Sequence, residues 1–529
     1  MTARPPASLD ELLDAAVAEH GDRIALVDGD LELTYAEVAA RAGNLAAALA
    51  EAGVAKGDRV GIHLDKNWQS VVAMLGVSRA GAAFVNINAA LKAAQVGYIA
   101  NDCDIRVLIA GADKLASLPA DIVPTIFRVG TRPTDRPEWR DFDAVVTATA
   151  GDKGRRPLIE TDLATILYTS GSTGMPKGVA FSQRNLVVGA EIVSSYLENT
   201  RDDRILSVLP FSFDYGLNQL TTAIRVGATL VLQRSQLPGD LLRSLRRHGI
   251  TGVAGVPPVW SLLLRNEKSL EETPLTTLRY ITNSGGRIPQ TNLDRLRRVL
   301  PGTKIFLMYG LTEAFRSTFL PPDEIDRGSE CIGKPIPDTE ILVIKDGRAA
   351  EPGEVGELVH RGPTVALGYW GNRAETERAY RPNPLAPPEL LDVERVVYSG
   401  DLVRRDEEGY LYFVGRNDAM IKSGGFRISP EEVENLLIAS GLVHEACAFG
   451  APDPDEVVGE VVIATVSLRS DVAADQVGQI REYLVANAPP YMVPREIVVV
   501  DELPKGATGK IDRPAVARAY LDRVASAPA

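Results

Sequence analysis

The apolar run Leu163 to Leu167 empties directly into Tyr168-Thr-Ser-Gly-Ser-Thr-Gly-Met-Pro-Lys-Gly-Val179. A strand that feeds such a loop is an anion-binding arrangement in principle: glycines let the backbone close on the ligand, hydroxyls donate to its oxygens, and a lysine neutralises charge. A polyphosphate is the ligand the pattern suggests. Gly/Ser/Thr clusters also serve as surface linkers. Here the strand-like run before the cluster and Pro176-Lys177 after it favour a built loop. The loop is not the common P-loop, because Pro176 stands where the second glycine of G-x-x-x-x-G-K-S/T belongs.

Helical and strand-like patterns alternate for most of the chain, as in an α/β protein. Thr34 and Glu37 form a T-x-x-E capping box ahead of an alanine-rich helix that stops at Gly53. A strand at Arg59 to His63, a helix around Val71 to Ala80 and a strand at Ala83 to Ile87 continue the β-α-β rhythm of a layered sheet. At 529 residues the chain exceeds what one core supports, so two or more domains are expected. The best boundary is the polar stretch Gly415 to Lys422, after the strand-like Tyr410 to Val414. Beyond it Ser429-Pro-Glu-Glu432 reads as a helix start, with Ser429 as N-cap, Pro430 at the first position and Glu432 closing the box. About a hundred residues remain, enough for a small second domain.

A net charge of −13 argues against a nucleic-acid partner, which would want a basic face. Cys103, Cys331 and Cys447 are far apart and lack metal-ligand spacing, which suits a reducing compartment. The N-terminus has no signal-peptide core and no run approaches the ~18 apolar residues of a membrane span, so a cytoplasmic location without membrane contact is expected. His20, His63, His248, His360 and His444 are scattered and form no Ser/His/Asp constellation.

Three further segments belong with the loop at Tyr168: Met308-Tyr-Gly-Leu-Thr-Glu-Ala314, Tyr398-Ser-Gly-Asp401, and Leu503-Pro-Lys-Gly-Ala-Thr-Gly-Lys-Ile-Asp-Arg513. Each alone is a weak signal. In this order and spacing they resemble the adenylate-forming superfamily of acyl-CoA synthetases, nonribosomal adenylation domains and luciferases, over nearly the whole chain. The resemblance implies an α/β fold: a large multi-layer N-terminal domain, residues 1–417, and a small mobile α+β C-terminal domain, residues 418–529, with a hinge at Asp418. It also implies an ATP- and Mg²⁺-dependent, AMP-forming ligase that makes an acyl-adenylate and pyrophosphate, then passes the acyl group to a thiol.

Carried over by position, Thr169, Ser170, Gly171, Ser172, Thr173, Gly174 and Lys177 would hold the β- and γ-phosphates, where a leaving pyrophosphate develops charge that donors and a cation stabilise. Tyr309 would stack on adenine, Thr312 would touch the α-phosphate and Glu313 would ligate Mg²⁺. Ser284, Gly285 and Gly286 match the turn that lines the adenine and acid pockets. Asp401 would bind the ribose hydroxyls with Arg416 nearby, and without the resemblance Asp401 is a turn aspartate. Lys510 matches the lysine that neutralises the carboxylate and α-phosphate as they meet, and the glycines of Ser423 to Ile428 would line the thiol's entry tunnel.

Leu209-Pro-Phe-Ser-Phe-Asp-Tyr-Gly-Leu-Asn-Gln219 carries the substrate question. Many acyl-CoA synthetases have a histidine where Phe213 stands and an apolar residue at Asp214. The FSFD here looks like that of nonribosomal adenylation domains, whose aspartate pairs with the substrate's ammonium. A buried unpaired carboxylate is costly, and a cationic substrate removes that cost. The alternative is that Asp214 is satisfied locally as an acceptor or helix cap. Tyr215 and Gly216 differ from the small pair common in α-amino-acid domains, and no carrier module is expected after Lys510. Together these features resemble free-standing enzymes that activate β-amino acids for macrolactam polyketides and load a discrete acyl carrier protein. Ser284, Phe315, Arg316 and Phe319 would complete the pocket, the two phenylalanines suggesting a hydrophobic or aromatic side chain. The alternative enzyme is an acyl-CoA synthetase for a medium or long chain, using CoA; a catalytically dead binding protein is disfavoured by the full set of ATP-site residue types.

Overall fold

The computed structural model describes residues 4–526 apart from 120, 131–135, 149–153, 170–175, 236, 273–274, 392, 417–419, 456, 470–471, 473–475 and 505–510. The Thr34–Glu37 capping box is present at the head of Tyr35–Glu51, each side chain bonding the other's backbone N–H. Gly53, just past its end, sits at φ +80°. The strands Arg59–His63 and Ala83–Asn86 pair in parallel, with the helix Trp68–Arg79 as the crossover between them. That helix is buried at every position from Ser70 onwards, so it carries apolar residues all round rather than on one stripe.

Two large sheets hold most of the described strands. One contains, in spatial order, Gly368–Tyr369, Lys177–Ser182, Leu163–Thr169, Ala83–Asn86, Arg59–His63, Ile105–Gly111, Thr125–Val129 and Arg140–Asp141. The other runs as a parallel block through Thr229–Leu232, Arg204–Ser207, Gly252–Gly255, Tyr280–Asn283 and Lys304–Tyr309. It continues antiparallel through Thr318–Leu320, Cys331–Pro335, Leu411–Arg416 and Arg395–Arg405. Helices lie between the sheets, and one apolar core joins residues of both, from Leu45 and Phe84 to Leu230 and Val403. The C-terminal unit packs Pro430–Ala439 and Val477–Asn487 on the three strands Val443–Pro452, Glu460–Leu468 and Glu496–Val499, with its own core around Val433, Leu437, Ala464 and Leu484.

The fold is therefore mixed α/β, with a large N-terminal and a smaller C-terminal domain, as the sequence suggested. One detail of the expected helix start differs. Ser429 caps Pro430–Ala439 by accepting from the Glu432 N–H at 3.4 Å, but the Glu432 carboxylate does not return to close a box. It borders the central cavity, one oxygen buried without a hydrogen-bond partner, and burial pushes its pKa up to about 8.

Two histidines are buried in the N-terminal domain. His63 ends its strand 3.5 Å from the Ile87 carbonyl, and His360 lies between the hydroxyls of Ser317 and Thr364 at 3.0 and 3.1 Å. Burial lowers their pKa values to about 4 and about 3. Both stay neutral in the fold and take up a proton near pH 6.5 once unfolded. Their contribution is thus complete above pH 6.5 and falls as pH drops toward 4, by about 2 kcal/mol per histidine between pH 6.5 and 5. Thermal unfolding followed across this range should show that loss, with a shallower slope in His360→Gln; an identical slope would show that His360 does not titrate on unfolding.

Candidate active site

The strand Leu163–Thr169 and its antiparallel partner Lys177–Ser182 set Thr169 opposite Lys177, so both ends of the intervening loop are fixed by register. The loop residues Ser170, Gly171, Ser172, Thr173 and Gly174 lie outside the described residues, as do Asp418, Lys510 and the side chain of Arg416. Next to the loop's ends lies a cavity of about 730 Å³, lined by residues from both sheets and from the C-terminal domain. Of the sequence-assigned residues, Thr169, Phe213, Asp214, Ser284, Gly285, Gly286, Tyr309, Thr312, Arg316 and Asp401 border it.

Tyr309 ends its strand with its hydroxyl donating to Oδ2 of Asp401. The Asp401 backbone N–H donates to Ser399 Oγ at 3.0 Å. An aromatic face and a carboxylate, separated by 92 positions in the chain, thus meet at one wall. The turn Ser284–Gly286 is held by Asn283, whose side-chain amide donates to the Gly286 carbonyl at 2.8 Å while its oxygen accepts from Trp260 Nε1 at 3.1 Å. Gly285 has φ +74°, a conformation natural to glycine.

After Tyr309 the chain makes a short 3₁₀ turn, Thr312–Ala314, and then places Phe315 at φ +60°. Positive φ in a bulky residue marks strain that the surroundings must hold. The Phe315 ring is fully buried, edge-on to Phe181 at 5.7 Å. It fills the space a side chain at Gly189 would occupy, a built Cβ there falling 2.7 Å from the ring. Phe315 is therefore a core residue and not part of the pocket wall, contrary to the sequence-based expectation. Phe319 likewise turns away and stacks on Tyr196 with ring centres 4.4 Å apart. Proximity in the chain suggested both; alternation along Thr318–Leu320 and the strained turn send them elsewhere.

Arg316, next in the chain, does reach the cavity, with its side chain 3% exposed. Its Nη1 donates to Asp214 Oδ2 at 3.1 Å and to the Phe315 carbonyl at 3.0 Å, and its guanidinium lies 4.3 Å from the Tyr215 ring centre. Burial raises the Asp214 pKa, and Arg316 opposes that shift. The expectation of a carboxylate lacking a counter-charge is thereby corrected: the chain supplies the cation from 102 residues away.

Glu313 is 8% exposed. Its Oε1 accepts from the Tyr369 hydroxyl at 2.7 Å, whereas Oε2 is buried with no hydrogen-bond partner, and Arg427 of the C-terminal domain approaches that oxygen to 3.9 Å. An orphaned carboxylate oxygen is what a hard cation requires, so the residue fits the Mg²⁺ role expected of it. No group of three or more metal-ligating side chains occurs among the described residues. Lys177 pairs with Glu375, its ammonium also 5.6 Å from the Tyr369 ring centre. Tyr369 and Glu375 were not found from sequence, because the stretch Gly368 to Ala379 carries no loop signature, and Arg427 lies in a stretch read only for its glycines; each contact crosses more than fifty positions.

The sequence profile of the AMP-binding enzyme family matches residues 13–370, and that of the AMP-binding enzyme C-terminal domain matches residues 432–510. A component of the linear gramicidin synthase of Brevibacillus parabrevis is 32% identical over 512 residues, 96% of this chain but only 6% of that protein. A propanoyl:CoA ligase of Mycobacterium tuberculosis, whose acyl group carries a methyl-dioxo-octahydro-indenyl ring, is 30% identical over 96% of this chain and 97% of its own. The o-succinylbenzoate CoA synthetase of Bacillus subtilis, as a double mutant bound with a product analogue, superposes with a TM-score of 0.83 at 28% identity, covering 96% of this chain and 98% of that one. Its AMP complex superposes with a TM-score of 0.68 at 29% identity, covering 95% and 97%.

Removing one member of a buried ion pair strands the other and costs about 3–5 kcal/mol. Asp214→Ala and Arg316→Met should each destabilise the N-terminal domain on this scale in urea unfolding. The double variant should lose less than the sum, by about 0.5–3 kcal/mol; strict additivity would mean that the two charges do not sense one another.

Proposed function

The chain belongs to the AMP-binding enzyme family, and on that premise we propose that it activates a carboxylic acid that needs no ammonium group and transfers the acyl group to the pantetheine thiol of CoA. The coarser statement stands without the proposal: the protein is an ATP-dependent, AMP-forming acid ligase. The observation that carries the finer one is the Asp214–Arg316 pair. An Asp214 carboxylate already balanced by Arg316 has no charge left for a substrate cation to neutralise.

In the first half-reaction a carboxylate oxygen of the acid bonds to the α-phosphorus of ATP while the bond to the β-bridging oxygen breaks and pyrophosphate leaves. We assign Thr169, Lys177 and the loop residues Ser170 to Gly174 to the β- and γ-phosphates. Thr312 then faces the α-phosphate, with Tyr309, Ser284, Gly285 and Gly286 against adenine, and Asp401 with Arg416 at the ribose. Glu313 would hold Mg²⁺, which when bound neutralises phosphate charge. Lys510 steadies the two anions as they meet. In the second half-reaction the thiol sulfur bonds to the acyl carbon and the bond to AMP breaks.

The described domain arrangement supports the second step. The same Bacillus enzyme matches this chain better with its product analogue than with AMP, at similar identity. In this arrangement Gly425 and Phe426 border the cavity, the Phe426 ring edge-on to Phe213 at 5.0 Å. We place the domain boundary at 417/418 and the hinge at Asp418.

A second reading, a hydrophobic or aromatic β-amino acid loaded onto a discrete acyl carrier protein, draws on the likeness to the gramicidin synthase and on Asp214 bordering the cavity. ATP–pyrophosphate exchange on matched fatty acids, α-amino acids and β-amino acids separates the two. Faster exchange with the unsubstituted acids is the expected result, and a clear preference for β-amino members would overturn it. Lys510→Ala should abolish that exchange yet leave thiol transfer from a supplied acyl-adenylate; loss of both would sink the division of labour between the half-reactions.

A further inference from the structure

The segment Gly368 to Ala379 holds two residues of the described site that no motif announced. Its first two residues form a short strand registered on Lys177–Ser182, with Gly368 opposite Ala180 and Tyr369 opposite Val179. The Leu367 and Trp370 N–H groups add bonds to the Ala180 and Gly178 carbonyls at 2.8 and 2.7 Å. Gly368 has φ +131° and lies against Thr376, whose Cγ2 would be 2.6 Å from a Cβ at that position. Thr376 Oγ1 accepts from the Tyr369 N–H at 3.0 Å. Tyr369 is thus locked to the strand that carries Lys177.

From this anchor the Tyr369 side chain works in two directions. Its hydroxyl donates to Glu313 Oε1 at 2.7 Å, while its ring face receives the Lys177 ammonium at 5.6 Å. Tyr380 packs edge-on against the ring at 5.8 Å, fixing its plane. The Glu313 carbonyl accepts from the N–H of Ala366, just ahead of the segment, at 3.0 Å, so this stretch of chain holds the backbone of Glu313 as well. One carboxylate oxygen is occupied by a neutral donor, and the other is left buried with no hydrogen-bond partner. A phenol suits that task because it orients a carboxylate without cancelling its charge.

We infer that Tyr369 is a positioning residue that aims Glu313 Oε2 at the divalent cation and keeps the phosphate-binding Lys177 at a fixed place relative to it. The inference rests on the assignment of Glu313 as the metal carboxylate. Outer hydrogen-bond partners of metal ligands commonly govern affinity by tenfold or more.

Tyr369→Phe isolates the role, since it keeps the ring beneath Lys177 and against Tyr380 and deletes only the donor. Mn²⁺ binding to the full-length enzyme with ATP, followed by electron paramagnetic resonance, is the readout, with Glu313→Gln measured beside it and melting temperatures checking both folds. We expect Tyr369→Phe to weaken Mn²⁺ about tenfold at an unchanged melting temperature, with the acid's KM unmoved. Wild-type Mn²⁺ affinity in Tyr369→Phe, with binding lost in Glu313→Gln, overturns the inference alone. Wild-type affinity in Glu313→Gln overturns the metal assignment, and the inference falls with it.

Discussion

Charge buried around a cavity must find its partner inside the protein, and that requirement shapes this site more than any single motif. Asp214 is met by Arg316, Lys177 by Glu375, Asp401 by Tyr309 and Glu313 by Tyr369. Each pair joins elements far apart in the chain. A buried carboxylate or ammonium left alone would be costly, so each of these contacts fixes a charged group that the fold has withdrawn from water. Because the strand register at Lys177–Ser182 also positions Tyr369, sheet geometry and site electrostatics are parts of one arrangement.

What sequence reveals here divides along the distance between partners. The Thr34–Glu37 box, the crossover helix before Ala83, and the strand-to-loop passage at Thr169 rest on neighbours within a few residues, and they read directly. The motif segments at Tyr309, Ser284 and Asp401 also converge on one cavity. The pairings across it were invisible, since nothing local in Asp214 names Arg316 and nothing in Gly368–Tyr369 names Glu313. Phe315 and Phe319 show the reverse failure. They are neighbours of site residues in the chain, but a positive φ sends Phe315 into the core, and Phe319 stacks on Tyr196.

The Asp214–Arg316 pair alters how the FSFD stretch is weighed. An aspartate at the start of a helix in an acid pocket suggests an ammonium partner only while it is the pocket's one charge. With a guanidinium at 3.1 Å the aspartate is already paired, and Tyr215, Leu209, Val256 and Met308 also border the cavity. On the function proposed above, substrate discrimination would act through shape and apolar contact, where one methylene contributes about 1–3 kcal/mol.

The same cavity receives its last wall from the C-terminal domain, and the character of that contact bears on how the domain could come and go. Phe426 stacks on Tyr491 with centres 3.8 Å apart and meets Phe213 edge-on. Gly425 lies against Val256 so closely that a Cβ there would fall 2.8 Å from it. Aromatic and glycine contacts of this kind exclude water while making few directional bonds, so they hold a docked domain without locking it. An interface built from buried ion pairs would resist separation, because each charge would be stranded on opening. The long 3.9 Å approach of Arg427 to Glu313 is a charged contact between the domains that falls at the oxygen assigned to the metal, so there the guanidinium stands where the proposed cation would bind.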